Sequence, residues 1–253
     1  MSGYLTRSGL ANLPAADMMS IVKGRSIFLI ALVCAGHSVR ASFELALIYD
    51  SESNGIVRYD PVTNARLGTF AQGELGTFTD AKLALNKTRP GQVAALNYDG
   101  RIRYFDYSTG IFKGMINLGV QFYGNSPLDM QILPNGNHLV TGYYSNTSRA
   151  ETRLYSPTGS LLSSMQYFGG YVPIDAQMAG DGSVYQLIRS QSGSTYTFYA
   201  FRHSTNGAYL GYSDLGSSSD QFALYNMAIE GDRVFTTAYS SNLNVRSGTI
   251  VNG

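Results

Sequence analysis

The sequence predicts an all-β chain: a β-propeller of four-stranded blades, with about four and a half blades visible. Three observations carry this. A strand that ends in a polar residue and runs into a Thr/Gly turn recurs about every 47 residues, a period typical of repeat folds. It stands at Val57-Arg58-Tyr59-Asp60, Arg103-Tyr104-Phe105-Asp106, Arg153-Leu154-Tyr155-Ser156 and Ala200-Phe201-Arg202-His203. No segment beyond Ala41 sustains the apolar period of about 3.6 residues that a helix needs. The chain is also rich in turn and strand formers, with 28 Gly and 19 Tyr, and it has no Trp, which argues against blades of the WD type.

Along the chain, Met18 to Arg25 is a short basic stretch, followed by an apolar run from Ser26 to Gly36 and then Val39-Arg40-Ala41, with small residues at both cleavage-determining positions. This is the layout of a secretory signal peptide over 18–41, cleaved after Ala41. The apolar run is too short to span a bilayer, which takes about 20 residues. Residues 1–17 precede the basic stretch and read as an upstream extension from an over-long gene start. The domain proper is then 42–253, exported and free of membrane spans. Losing Arg7, Lys23, Arg25, Arg40 and Asp17 takes the 18 basic and 17 acidic residues to 14 and 16, a net charge of −2. No basic stripe remains to hold nucleic acid. The single Cys leaves with the leader, so disulfides, thiol chemistry and Cys metal sites leave with it.

Repeat units start near 45, 93, 139, 184 and 234. In the second, the strands are Val93–Tyr98, Arg101–Phe105, Phe112–Leu118 and Met130–Leu133. Asp99-Gly100 gives a two-residue hairpin signal, and Asn135-Gly136, Asp181-Gly182 and Gly231-Asp232 mark turns from one unit to the next. The fifth unit stops after its second strand, Val245–Val251. Only Ser42, Phe43 and Glu44 precede the first strand of the exported chain, too few to close a ring. The expectation is therefore an open arc, a C-terminally truncated piece of a longer propeller; the alternative is a complete five-bladed ring with a thin last blade.

The unit boundaries resemble those of NHL-repeat and streptogramin-lyase-like propellers, whose signature is Pro, an apolar strand, Asp-Gly-Asn and another strand. Pro127-Leu128-Asp129-Met130-Gln131-Ile132-Leu133-Pro134-Asn135-Gly136-Asn137 has that spacing, and Pro173-Ile174-Asp175-Ala176-Gln177-Met178-Ala179-Gly180-Asp181-Gly182-Ser183 repeats it. The first and fourth boundaries depart: Asp80 has no Pro two residues before it, and Asn226 replaces Asp. The resemblance implies a propeller, and similar families include calcium-dependent lactonases.

Asp80, Asp129, Asp175 and Asn226 fall in one register of successive units, which a propeller maps onto a ring about its axis. Two readings follow. The ring holds a hard cation such as Ca²⁺, which takes oxygen ligands, or each Asp accepts backbone N–H bonds and pins neighbouring blades. Recurrence in every unit favours the second. Asp50-Ser51-Glu52-Ser53-Asn54-Gly55 begins like a calcium loop, but Pro61 stands where the closing Glu is needed, and a hairpin loop is the simpler reading. His138 and His203 are the two histidines of the exported chain. His203 replaces Asp in the second-strand turn, the one break in that register and hence the weak catalytic suspect. Tyr143-Tyr144, Tyr167-Phe168 and Tyr196–Phe201 are aromatic clusters that either pack between blades or stack on a sugar or protein. No nucleophile elbow, zinc motif or phosphate loop occurs, and no cofactor is called for. The sequence thus points to a secreted, non-enzymatic propeller binding a protein or glycan on one face. The alternatives are a divalent-cation-dependent lyase or lactonase using Asp129 and Asp175, and a structural role at the cell surface.

Overall fold

The computed structural model describes residues 46–50, 55–60, 63, 65–72, 75, 81–86, 88–123, 128–166, 170–220, 224–230, 233–238 and 245–249. The segments read from the sequence as a leader (18–41) and an upstream extension (1–17) lie outside these. Eighteen strands and no helix occur among the described residues, and none of them forms a helix long and apolar enough to cross a membrane.

The strands make five antiparallel sheets. The first contains β1 (Ala46–Asp50), β2 (Gly55–Tyr59) and β3 (Arg66–Phe70). The second contains β4 (Ala81–Leu85), β5 (Gln92–Asn97), β6 (Arg101–Asp106) and β7 (Phe112–Asn117). The third contains β8 (Asp129–Ile132), β9 (His138–Tyr144), β10 (Arg149–Tyr155) and β11 (Leu161–Gln166). The fourth contains β12 (Tyr171–Met178), β13 (Val184–Ser192), β14 (Thr195–His203) and β15 (Tyr209–Ser218). The fifth contains β16 (Leu224–Glu230), β17 (Arg233–Ala238) and β18 (Val245–Thr249). Each sheet is a simple meander in chain order, as hairpin turns dictate.

The sheets cut the repeat one strand earlier than the sequence units do. Units starting near 45, 93, 139, 184 and 234 begin at β1, β5, β9, β13 and β17; the strand before each of the last four belongs to the same sheet. Asn135-Gly136 and Asp181-Gly182 are hairpin turns inside a sheet rather than links between units. Gly136 N–H donates to Leu133 O at 2.9 Å and Gly182 N–H to Ala179 O at 3.0 Å, with both glycines in the left-handed region at φ 84°. A turn of that geometry closes an antiparallel pair. The Asp99-Gly100 turn is wider than two residues. Pairing of β5 with β6 ends at Leu96–Ile102, and Gly100 N–H returns to Asn97 O at 3.0 Å.

Four apolar clusters lie between successive sheets, which is how radial stacking buries both faces of a strand. Ile56, Phe70, Leu83 and Phe105 fill the space between the first and second sheets. Leu96, Ile102, Val140 and Tyr144 fill the second–third space. Leu139, Leu154, Met165 and Val184 fill the third–fourth space, and Leu187, Phe198, Met227 and Val234 fill the fourth–fifth space. Alternation along one strand assigns its two faces: Val93 and Ala95 point to the first sheet, Ala94 and Leu96 to the third. Two three-stranded sheets bracket three four-stranded ones, an arrangement consistent with an incomplete propeller.

The Thr/Gly turns that mark the repeat have a packing role. The glycine between the third and fourth strands of a blade sits against the outer strand of the blade before it. A Cβ on Gly110 would come within 2.4 Å of Phe70 Cβ, on Gly159 within 2.7 Å of Ile116 Cγ2, and on Gly207 within 2.7 Å of Ser164 O. Each outer strand then bulges near its start, beside Tyr59, Phe105, Tyr155 and His203. Such bulges blunt a sheet edge against pairing with another chain.

Candidate functional site

Pairing register identifies equivalent positions in the sheets. The pairs Leu85–Val93, Ile132–His138, Met178–Val184 and Ile229–Val234 correspond. Three residues further along the second strand of each pair, Asp129 pairs with Thr141, Asp175 with Leu187 and Asn226 with Thr237. In the second sheet the position so defined is Lys82, opposite Leu96. This corrects the register read from the sequence: the series is Lys82, Asp129, Asp175, Asn226, and Asp80 is not in it. Asp80 lies outside the described residues. The sequence alignment missed the shift because the loop from β4 to β5 is longer than its counterparts.

Three members of this series meet one another or the next blade. Lys82 Nζ lies 2.5 Å from Asp129 Oδ1. Asp129 Oδ2 accepts Ala176 N–H at 3.4 Å, and Asp175 Oδ2 accepts Met227 N–H at 2.7 Å. Both aspartates are buried. Burial penalises the Asp129 charge, but the Lys82 charge and the Asp175 and Ala176 donors more than offset it, so its pKa lies below the usual carboxylate range. Burial and then the Asp129 charge push Asp175 well above that range. The Asp175 carboxyl therefore holds its proton more tightly than Asp129 does, and the two side chains hydrogen-bond to each other beside the Lys82 ammonium. Among the described residues no group of three His, Cys, Asp or Glu side chains is placed to hold a metal ion. Asp50 pairs with Gly55 across the end of the β1–β2 hairpin, and the loop 51–54 lies outside the described residues.

His203 closes β14 opposite Val184 and is buried. Its pKa falls to about 4 through burial, and its ring packs against Tyr209 at 5.5 Å and Phe201 at 6.5 Å. It does not occupy the turn position. Ser204 does: Ser204 N–H bonds Ala208 O and its Oγ accepts Ala208 N–H at 3.1 Å. Ser156 Oγ likewise accepts Ser160 N–H at 3.0 Å, and Asp106 Oδ1 accepts Thr109 N–H at 2.9 Å. The turn register is thus Asp60, Asp106, Ser156, Ser204, unbroken in its side-chain chemistry, and His203 precedes it by one residue.

The aromatic clusters divide. Tyr144 is fully buried, 4.7 Å from Phe122, with the Arg153 guanidinium 3.7 Å over its ring. Tyr167 and Phe168 lie outside the described residues. In β14, Phe198 and Ala200 point into the fourth–fifth core, so Tyr199, Phe201 and His203 share the opposite face, turned to the third sheet. Tyr171, Tyr209 and Tyr212 join them in a network of edge-to-face and tilted contacts, with ring centroids 5.6 Å apart for Tyr171–Phe201 and 5.9 Å for Tyr171–Tyr199. Tyr209 and Tyr212 are 54% and 51% exposed.

One site has no counterpart in the sequence reading. Tyr104 in β6 and His138 in β9 meet across the cleft between the second and third sheets, with Tyr104 Oη 2.5 Å from His138 Nε2. His138 Nδ1 lies 3.2 Å from Ser156 O. Burial lowers the His138 pKa and so keeps the ring neutral. The carbonyl then takes the Nδ1 proton, and Nε2 accepts from the tyrosine hydroxyl. Burial raises Tyr104 to about 12 despite the nearby Arg89 charge, so that hydroxyl keeps its proton. Both positions depart from the repeat. His138 stands where the other sheets have Ala46, Val93, Val184 and Val234, and Tyr104 where they have Arg58, Leu154, Arg202 and Ser247. An alignment in pairing register would have shown both.

No family model matches the chain, and no curated protein matches it. Among solved structures, a chain of the nidogen/laminin complex superposes with a TM-score of 0.55 at 13% identity, over 82% of this chain and 72% of that one. The WD40 domain of Toxoplasma gondii coronin gives 0.49 at 8% identity over 83% and 54%, and the C-terminal WD40 domain of Sif2 gives 0.47 at 12% over 80% and 51%. The fold is a β-propeller.

Proposed function

We propose that this propeller is a secreted, non-enzymatic binding module that takes a protein or glycan ligand on the aromatic face of its fourth sheet. The observation that carries this is the cluster of Tyr171, Tyr199, Phe201, Tyr209 and Tyr212, packed ring to ring yet leaving two tyrosines half in solvent. Such rings present large apolar contact area with few rotors to freeze, and their hydroxyls serve as polar handles. The leader-like segment before Ser42 supports export. The Pro, apolar strand and Asn-Gly or Asp-Gly turn at 127–137 and 173–183 support an NHL-like lineage. The lyase or lactonase alternative needs inner-strand carboxylates available to a cation, and Asp129 is instead engaged by Lys82.

The test is a glycan and protein array probed with the purified protein and with a Tyr209→Ala/Tyr212→Ala variant. Both side chains are half exposed, so the variant keeps its fold. Loss of every array signal in the variant is the expected result; signals that survive unchanged would overturn the assignment of the face. Melting in Ca²⁺ and in EDTA addresses the alternative, since a cation bound only to the folded state must raise its stability. Equal midpoints are expected.

A further inference from the structure

The cleft floored by Tyr104 and His138 opens into a cavity of about 270 Å³, the volume of a ligand the size of a single sugar. Two cationic residues, Arg89 and Lys113, line it together with Thr88 and Met115, and no carboxylate is among the described residues of its wall. Asn86 braces the backbone at Thr88 and Arg89. Asn86 Oδ1 accepts Thr88 N–H at 3.1 Å, Thr88 Oγ1–H at 2.8 Å and Arg89 N–H at 3.3 Å, while Asn86 Nδ2 donates to Gln92 Oε1 at 3.2 Å. Opposite Tyr104 on the outer strand stands Gly114. A Cβ there would meet nothing within 4 Å, so that side of the cavity is left open. The wall is also chemically divided. The Tyr104 proton is committed to His138, so the phenolic oxygen faces the cavity as an acceptor and matches a ligand O–H. The cations match a negative group.

We propose that the cleft between the second and third blades is a binding site for a small hydroxylated organic anion, a sugar acid or a sugar phosphate, with Arg89 and Lys113 holding the anionic group and Tyr104 accepting a ligand hydroxyl. The site is separate from the aromatic face of the fourth sheet. Its two central groups, Tyr104 and His138, sit where the repeat is broken, and the repeat itself does not need them.

Melting and titration calorimetry of the protein with glucuronate, glucose 6-phosphate, glucose and inorganic phosphate test it. Glucuronate or glucose 6-phosphate should raise the midpoint and glucose should not; the stronger of the two names the anionic group as carboxylate or phosphate. Arg89→Gln/Lys113→Gln should abolish the response without changing the unliganded midpoint, because both side chains are exposed. Tyr104→Phe should weaken the sugar anions about tenfold, the worth of one hydrogen bond, and leave inorganic phosphate unaffected. Silence from both sugar anions, a glucose response equal to theirs, or a full response from the double variant would overturn the site. Inorganic phosphate binding as well as glucose 6-phosphate would overturn the role given to Tyr104.

Discussion

The inner strands and the second–third cleft handle the repeat in opposite ways. On the inner strands one position recurs as Lys82, Asp129, Asp175 and Asn226. The residue types differ, yet the buried pair Asp129 and Asp175 does the same work, each accepting an N–H of the next blade. In the cleft, a position that is Ala or Val elsewhere becomes His138 and one that is Arg, Leu or Ser becomes Tyr104, and the two hydrogen-bond to each other. The lesson concerns where variation is tolerated. At the inner strands a buried charge stands beside a partner, as Asp129 does beside Lys82, because an unpaired buried charge is costly. In the cleft side chains vary toward chemistry that the fold does not require.

Substitutions can break or sharpen this contrast. The largest effect belongs to Asp129→Ala, which strips Lys82 of its Asp129 partner and Ala176 of its acceptor. It should cost about 3 kcal/mol or more in urea denaturation, the usual result of breaking a buried ion pair. Next comes Gly159→Ala, at φ 91° with a Cβ 2.8 Å from Asn117 O on the preceding blade. Strain and clash together should cost about 2 kcal/mol. Gly182→Ala, at φ 84° but in open space, should cost about 1 kcal/mol from strain alone, and equal losses at the two glycines would refute the inter-blade role of the turn.

Restoring the repeat at the cleft with His138→Val removes two hydrogen bonds and leaves an apolar core residue. Its stability should stay within about 1 kcal/mol of the parent. A loss as large as that of Asp129→Ala would erase the distinction between the two regions. The smallest effect at neutral pH is expected for Asp175→Asn, which converts the second of the two blade-to-blade acceptors to the residue type the fifth sheet already has at that position. Its signature is in the pH dependence. The folded pKa of Asp175 stands above the unfolded value near 3.9, so the folded chain holds that proton more tightly. That contribution is present in full below the unfolded value and is lost as pH rises through the folded one. Denaturation across that range should show the Asn variant gaining on the parent as pH rises; parallel curves would contradict a raised Asp175 pKa.

Much of the architecture was legible in the chain. The Thr/Gly turns, the Asn-Gly and Asp-Gly hairpins and the alternating strands encode local geometry, and local geometry is written in neighbouring residues. What misled was phase. The sequence aligned His203 with Asp60, Asp106 and Ser156, whereas pairing aligns Ser204, because the marker strings were matched by their turn residue while the strands are matched by hydrogen bonds. It aligned Asp80 with Asp129, whereas pairing aligns Lys82, because loop length is invisible to a fixed period. The Tyr104–His138 pair had no sequence signal beyond its departure from the repeat, since the partners come from different sheets.

Strand identity, hairpin positions and the propeller class were therefore set by the order of residues alone, through dihedral preference and alternation. Which side chains face one another across a cleft, which aspartate holds its proton more tightly and where a ligand could enter were decided by the stacking of one sheet on the next. Those distances depend on the angle between blades, and that angle comes from filling the four inter-sheet cores at once.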